Sequence, residues 1–190
     1  DLELPFMDAE EDNNIRRDTT FEKLQKLKPV FDKSAEGSLT AGNSTPLTDG
    51  AAAVLLASED WAKAKGLPIQ AYLTFAKVSA VNFINDEGLL MAPTVAVAEL
   101  LQARGLTLQD FDYYEIHEAF AAQVLSTLAA WESEDYCRDR LGLDAPLGAI
   151  DRAKLNVKGS SLAVGHPFAA TGARIIELIR LAERARAREG

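Results

Sequence analysis

The sequence predicts an α/β fold of layered helices and a mixed sheet. Runs of β-branched and aromatic residues alternate with stretches of helical periodicity, and most of those stretches carry their own start and stop residues. No repeat of solenoid period competes with that reading.

Taken in order, Thr20 precedes Phe21, Leu24 and Leu27 at helical spacing, and Pro29 ends that helix. Gly37 to Leu47 is a loop rich in Gly, Ser, Thr and Asn. Asp49 is placed to cap an Ala-rich helix through Ala51, Val54, Leu55, Ser58 and Ala62 to Gly66. Gln70 to Val81 has the composition of a strand. Pro93 then opens a helix through Val97, Leu100 and Leu101 that Gly105 closes. Thr107 and Asp110 mark a turn, residues 111–116 a second strand, and Phe120, Val124, Leu128 and Trp131 one face of a long helix. Gly142, Pro146 and Gly148 form a loop. Leu155 to Val164 is apolar and broken by Gly159, and Pro167 opens a last helix carrying Ile175, Ile176 and Ile179 into an Arg-rich end from Arg180 to Arg188.

Composition narrows the function classes. A chain of 190 residues, 47% hydrophobic and 26% charged, can bury roughly 70% of its unfolded surface. It has no apolar run of the ~20 residues that span a bilayer. Twenty Lys and Arg against 29 Asp and Glu, a formal charge of -9, oppose a broad nucleic-acid surface. One cysteine, Cys137, excludes an internal disulfide, and two histidines leave little for a metal site, so no metal is expected. A reducing, cytoplasmic setting fits best. Asp1-Leu2-Glu3-Leu4 is neither a starting Met nor a signal peptide, and the expectation is a piece of a longer protein.

Neither GxxxxGKS/T nor GxGxxG occurs, so nucleotide hydrolysis is not expected. Both histidines fall at joints: His117 between a strand and a helix, His166 in Gly165-His166-Pro167 ahead of the last helix. Pro167 would set His166 beside the positive end of that helix. Gly159, Gly165, Ala169, Ala170 and Gly172 keep bulk low around it. Packing or capping histidines would look similar in isolation, and the two readings stand near even. Cys137 sits among Glu132, Glu134, Asp135 and Asp139, an unsuitable setting for a reactive thiol, and is read as structural. Asn43-Ser44-Thr45 formally matches a glycosylation acceptor but lacks a secretion signal. The arginines near the C-terminal end read as a solvated helix end, with a linker or partner contact as the alternative.

Three segments carry a family resemblance. Gly159-Ser160-Ser161-Leu162-Ala163-Val164-Gly165-His166-Pro167-Phe168-Ala169-Ala170-Thr171-Gly172-Ala173-Arg174 resembles the GHP signature of thiolases. His117-Glu118-Ala119-Phe120 is similar to their Asn-or-His-Glu-Ala-Phe signature, and Thr40 to Ala53 to their TAGN…DGAAA segment. The His form of the second signature and the insert from Trp131 to Ile150 resemble the degradative thiolases that form the β-subunit of fatty-acid oxidation complexes. The resemblance implies a thiolase-like fold divided into the end of a loop region with a CoA contact (1–35), the last strand and helix of an N-terminal half-domain (36–66) and most of a C-terminal half-domain (67–190).

The implied activity is thiolytic cleavage of a 3-ketoacyl-CoA in fatty-acid β-oxidation, with coenzyme A as substrate and no tightly bound cofactor. His166 would activate a nucleophilic cysteine and later help hold an oxyanion. His117 would orient a water that donates to the thioester oxygen, its charge state left open. Ala41 and Thr45 would lie along the pantetheine arm, Ala119 and Phe120 beside the thioester, and Arg16 at the adenine or phosphate end. Arg16 also fits such a role unaided, since guanidinium stacks and binds phosphate, although a solvated loop arginine is the alternative. The family's two catalytic cysteines are expected before Asp1 and after the last helix, so this chain alone is expected to be inactive. Implied partners are acyl-CoA, CoA, a second copy of the protein in a homodimer or higher oligomer, and a hydratase/dehydrogenase subunit of a β-oxidation complex. The alternatives are a non-catalytic CoA-binding or assembly module and a synthase-type acetyl-CoA acetyltransferase.

Overall fold

Leu101, Leu108, Val124, Leu128, Trp131 and Ile150 pack as one buried cluster, with Val97, Phe111, Tyr114, Ile116 and Leu155 half-buried against it. The structure is a computed structural model that describes residues 11–84 and 88–189, with backbone alone at 182 and 184–189. The acidic opening at residues 1–10 and the side chains of Arg184, Arg186 and Arg188 lie outside the described residues.

Seven α-helices are present among the described residues: α1 (Phe21–Gln25), α2 (Glu59–Ala64), α3 (Ala92–Arg104), α4 (Ala121–Glu132), α5 (Glu134–Asp139), α6 (Ser161–Val164) and α7 (Thr171–Glu189). Helix α3 follows its sequence signals closely. Pro93 sits in its first turn, where a missing N–H costs nothing, and Gly105 ends it at φ 64°, a left-handed conformation that glycine adopts without steric penalty. Thr107 and Asp110 close a reciprocal capping box on a short 3-10 turn, after which Phe120 leads into α4. Helix α4 buries Val124, Thr127, Leu128, Ala130 and Trp131, while the Trp131 indole N–H donates to the Thr94 carbonyl on α3 at 3.4 Å. Cys137 is fully buried at the α4–α5 corner, its thiol directed at the Ala130 and Trp131 carbonyls.

Other elements depart from expectation. The Ala-rich helix from Asp49 is reduced to α2, capped by Ser58 rather than Asp49. The stretch at 51–57 is apolar on every side and exposed, so it has no buried face to stabilise a short helix. Residues 70–81 form no named strand, and the segment at 111–116 pairs only at Tyr114, which bridges Leu155 in parallel. Among the described residues, sheet pairing is limited to four isolated bridges, two antiparallel and two parallel. Strand propensity needs a neighbour to bond, and residues 70–81 meet α3 through side chains instead: Lys77 pairs with Glu99 at 2.7 Å, and Arg104 lies over the Phe75 ring at 4.4 Å. The first helix stops at Lys26, before Pro29. The last begins at Thr171 rather than Pro167, because Pro167 first makes a tight turn in which its carbonyl accepts from the N–H groups of Ala170 and Thr171. No helix among the described residues is long and apolar enough to cross a membrane.

Candidate functional site

Three segments distant in sequence meet through backbone hydrogen bonds. The loop at 40–50 is shaped locally, with Asn43 accepting from the Thr40 N–H at 2.8 Å and donating to the Ser38 carbonyl at 2.9 Å. Its next residues bind the second segment. The Thr45 N–H donates to the Ala119 carbonyl at 3.0 Å and the Ala121 N–H to the Asn43 carbonyl at 2.9 Å, with Ser44 and Phe120 paired antiparallel. Two residues later the loop binds the third: the His166 N–H donates to the Pro46 carbonyl at 2.9 Å, in a parallel bridge of Leu47 with His166.

Contact this close requires glycine. Gly165 has φ +92°, and a Cβ there would sit 2.3 Å from Cγ2 of Thr48. A Cβ on Gly50 would fall 2.8 Å from the Pro167 ring.

Asn156 joins the second and third segments. It adopts φ 49°, a left-handed conformation that asparagine tolerates. Its side chain accepts from the Ile116 N–H at 2.9 Å and donates to the Ile116 carbonyl at 3.0 Å and to Glu118 at 2.8 Å. The other Glu118 oxygen accepts from the Leu162 N–H at 3.0 Å. Glu118 is thereby fixed as a structural strut, with its carboxylate satisfied from both sides.

The outcome is a histidine pair. The rings of His117 and His166 lie 4.2 Å apart between centroids and tilted by 38°, and Phe168 packs edge-on to His166 at 4.8 Å. Two imidazolium rings at that separation would repel, which disfavours charge on both at once. Burial drives the His117 pKa down to about 4, helped by His166 and the Arg174 guanidinium, so His117 is neutral at physiological pH. His117 Nδ1 is 2.7 Å from the Ser161 hydroxyl, and His166 Nδ1 is 2.6 Å from the Thr171 hydroxyl. Thr171 Oγ1 also lies 3.2 Å from the Pro167 carbonyl, and with its proton given to that carbonyl His166 Nδ1 is the donor to Thr171 and Nε2 keeps a free lone pair. His166 meets α7 through a hydroxyl, and two N–H groups at the start of that helix, those of Ala170 and Thr171, are already bonded to the Pro167 carbonyl.

Behind the pair lie three charged groups. Arg174, on the first turns of α7, donates from Nη2 to Ser161 Oγ at 2.6 Å. Its Nε and Nη1, and both carboxylate oxygens of Glu115, have no hydrogen-bond partner among the described residues. Burial raises the Glu115 pKa to about 7, Glu118 adds to the rise and Arg174 opposes it. Before His166 and Phe168, Leu47, Thr48, Asp49, Gly50 and Pro167 complete a cavity of about 290 Å³.

The sequence-derived residues are not all gathered here. His117, His166, Thr45, Ala119 and Phe120 come together, but the Thr45 hydroxyl donates to the Ser161 carbonyl at 2.7 Å and so helps hold the loop. Ala41 is exposed on the turn at 40–43. Arg16 is exposed beside Thr19, whose hydroxyl bonds its carbonyl, and it makes no hydrogen bond or ion pair with the histidine cluster. Asn156, Ser161, Thr171 and Arg174 were not singled out from sequence as parts of the site, although all but Asn156 lie within the segment containing His166. Ser161 touches His117, yet it is fully buried and accepts from Arg174, which disqualifies it as a nucleophile. Among the described residues no three His, Cys, Asp or Glu side chains converge as a metal site.

A neutral imidazole packed against a second imidazole, the second lining a cavity, is an arrangement able to move protons and to stabilise an oxyanion. Comparison with known proteins places the chain in a family. The thiolase C-terminal domain matches residues 68–189 and the thiolase N-terminal domain residues 6–60. A 3-ketoacyl-CoA thiolase of Yersinia enterocolitica is 49% identical over 173 residues, covering 90% of this chain and 39% of the relative. The crystal structure of human mitochondrial 3-ketoacyl-CoA thiolase in complex with CoA superposes with a TM-score of 0.68 at 30% identity, covering 93% of this chain and 39% of that one. The dimeric peroxisomal thiolase of Saccharomyces cerevisiae gives 0.66 at 37% identity, with coverage of 87% and 37%. The chain belongs to the thiolase family and has the thiolase fold over the region it spans, about two fifths of the length of these relatives.

Proposed function

We propose that this chain supplies the histidine-bearing side of the active site of a degradative 3-ketoacyl-CoA thiolase. The observation that carries the proposal is the convergence of three separate segments on a stacked, unlike pair of histidines. In the reaction, a cysteine thiolate attacks the keto carbon of the substrate. The bond between that carbon and its neighbour breaks, the released acetyl-CoA enolate takes a proton from a second thiol, and CoA then accepts the acyl group from the first. His166, with its Nε2 lone pair open, takes the proton of the nucleophilic thiol. His117, neutral, donates toward the thioester oxygen directly or through a water. Both thiols would come from outside these 190 residues, since Cys137 is the single cysteine and is fully buried.

Coenzyme A acts as a substrate, passing Ala119 and Phe120 with its thioester end and Ala41 and Thr45 with its pantetheine arm, while Arg16 meets the adenine or phosphates. The kinship with a dimeric thiolase and with a CoA-bound one supports a homodimer or higher oligomer that binds CoA. A cytoplasmic β-oxidation complex containing a hydratase/dehydrogenase partner completes the reading.

In the protein that carries this chain, His166→Ala should slow acyl-enzyme formation by 10²-fold or more, on the order of the loss of a general base, in a single-turnover mass measurement. The 190-residue chain by itself should show no thiolysis of acetoacetyl-CoA. An unchanged acylation rate in the variant, or turnover by the chain alone, would overturn the assignment.

A further inference from the structure

We propose that Ser161 and Arg174 are positioning residues that lock His117 into its Nε2–H tautomer, leaving the ring able to act toward the site as a donor only. Ser161 opens α6 and is fully buried. Its hydroxyl has two polar neighbours, Arg174 Nη2 at 2.6 Å and His117 Nδ1 at 2.7 Å. A guanidinium donates and never accepts, so Arg174 takes a lone pair of Oγ. The hydroxyl proton then has one acceptor, Nδ1 of His117. With Nδ1 accepting, the proton of the neutral ring resides on Nε2. The reverse arrangement, Nδ1–H into Oγ, would leave a buried O–H without an acceptor.

Electrostatics act in the same direction. The positive charge of Arg174 lies one hydroxyl away from the ring and opposes protonation, as do burial and His166. Burial lowers the Arg174 pKa, and Glu115, Glu118 and Asp12 oppose that shift and favour the charged guanidinium. His166 provides the contrast. Its hydroxyl partner, Thr171, has a carbonyl within reach, that of Pro167 at 3.2 Å, and with the hydroxyl proton given there the contact at 2.6 Å runs with the opposite polarity. Two hydroxyls, one tied to a guanidinium and one to a carbonyl, make one histidine a donor and its neighbour an acceptor.

The catalytic meaning of this lock rests on the thiolase reading, whereas the tautomer itself does not, and the test separates them. The chain has two histidines, so selective ¹⁵N-imidazole labelling yields two ring systems, assigned with His117→Asn. In the unsubstituted protein His117 should show a protonated Nε2 and an accepting Nδ1, unchanged from about pH 8 down to about pH 5. Ser161→Ala should mix the tautomers and move the titration midpoint upward, with Ser161→Thr restoring a single tautomer. Arg174→Met should produce the same mixing, and Arg174→Lys less of it. In the protein that carries this chain, Ser161→Ala should lower kcat by about tenfold with KM little changed, bounded by the ~10²-fold loss expected for an oxyanion donor. A protonated Nδ1 on His117 in the unsubstituted protein would overturn the proposal without recourse to any variant. So would a Ser161→Ala protein whose tautomer and titration are unmoved. The predicted tautomer combined with absent thiolysis would instead leave the lock standing and remove the functional reading.

Discussion

Residues 92–189 and residues 11–84 meet at the same histidine pair but are held by different forces. Every side chain buried among the described residues, from Thr94 to Thr171, belongs to the first region. In the second, Leu55, Tyr72, Leu73 and Val78 are 75%, 61%, 67% and 92% exposed. One region is held by apolar burial, the other by backbone bonds at Thr45, Pro46 and their neighbours and by polar side-chain contacts such as Thr45 with Ser161 and Lys77 with Glu99. The site sits on the boundary between them, so the position of the loop against the histidines depends on hydrogen bonds and close glycine contacts more than on a shared core.

The largest effect that would sharpen this contrast is in the core. Trp131→Ala should destabilise the protein by about 3–5 kcal/mol in denaturant unfolding, whereas Leu73→Ala should cost less than about 0.5 kcal/mol. Comparable losses would mean that residues 11–84 have a core of their own.

At the boundary, Gly165→Ala should cost about 1–3 kcal/mol, since its Cβ would press into Thr48 from a left-handed backbone. Hydrogen exchange of the His166 N–H should accelerate, and Thr48→Ala in the same protein should recover part of the loss. Full retention of His166 protection in Gly165→Ala would break the picture of a tightly apposed loop.

The charged groups behind the pair predict a smaller, pH-dependent effect. Glu115 binds its proton more tightly folded, at about 7, than unfolded, at the ordinary 4.5, so its contribution to stability is present below about pH 4.5 and lost as pH rises through 7. His117 has the opposite sign: its folded value of about 4 lies below the ordinary 6.5, so its contribution is present above 6.5 and lost as pH falls through 4. The two trends oppose each other over the overlapping range. Glu115→Gln should therefore gain on the order of 1–2 kcal/mol above pH 7, after discounting for partial exposure, and lose stability more steeply on acidification. Thermal unfolding across pH would read both, and a gain that is largest below pH 4.5 would refute the assignment. The smallest effect is Ala169→Gly, which relieves a non-glycine φ of 65° and should stabilise by up to about 1 kcal/mol in the same assay.

Much of the packed region was legible in the sequence because its signals are local. Pro93 and Gly105 bracket α3, Thr107 and Asp110 close their box, and the apolar face of α4 is the one that is buried. The two joint histidines were legible as well, and they do meet. Residues 70–81 and 111–116 misled because a strand exists only when a neighbour completes its ladder, and composition carries no information about the neighbour. The Ala-rich run after Asp49 misled because high helix propensity without a buried face does not sustain a short helix. The role of Ser161 was hidden for a further reason. Whether a serine donates to or accepts from a histidine is decided by a third group, and here that group is Arg174, which reaches Ser161 only once α7 has folded.

Asn156 has a consequence for which sequences this region can accept. It clamps the backbone at Ile116, Leu162 is held by Glu118, and the His166 N–H is tied to Pro46. These are three fixed stations along one short run of chain. An added or deleted residue anywhere along the run would shift every later station out of register. Between Asn156 and His166 the run works as a ruler, intolerant of any change in length.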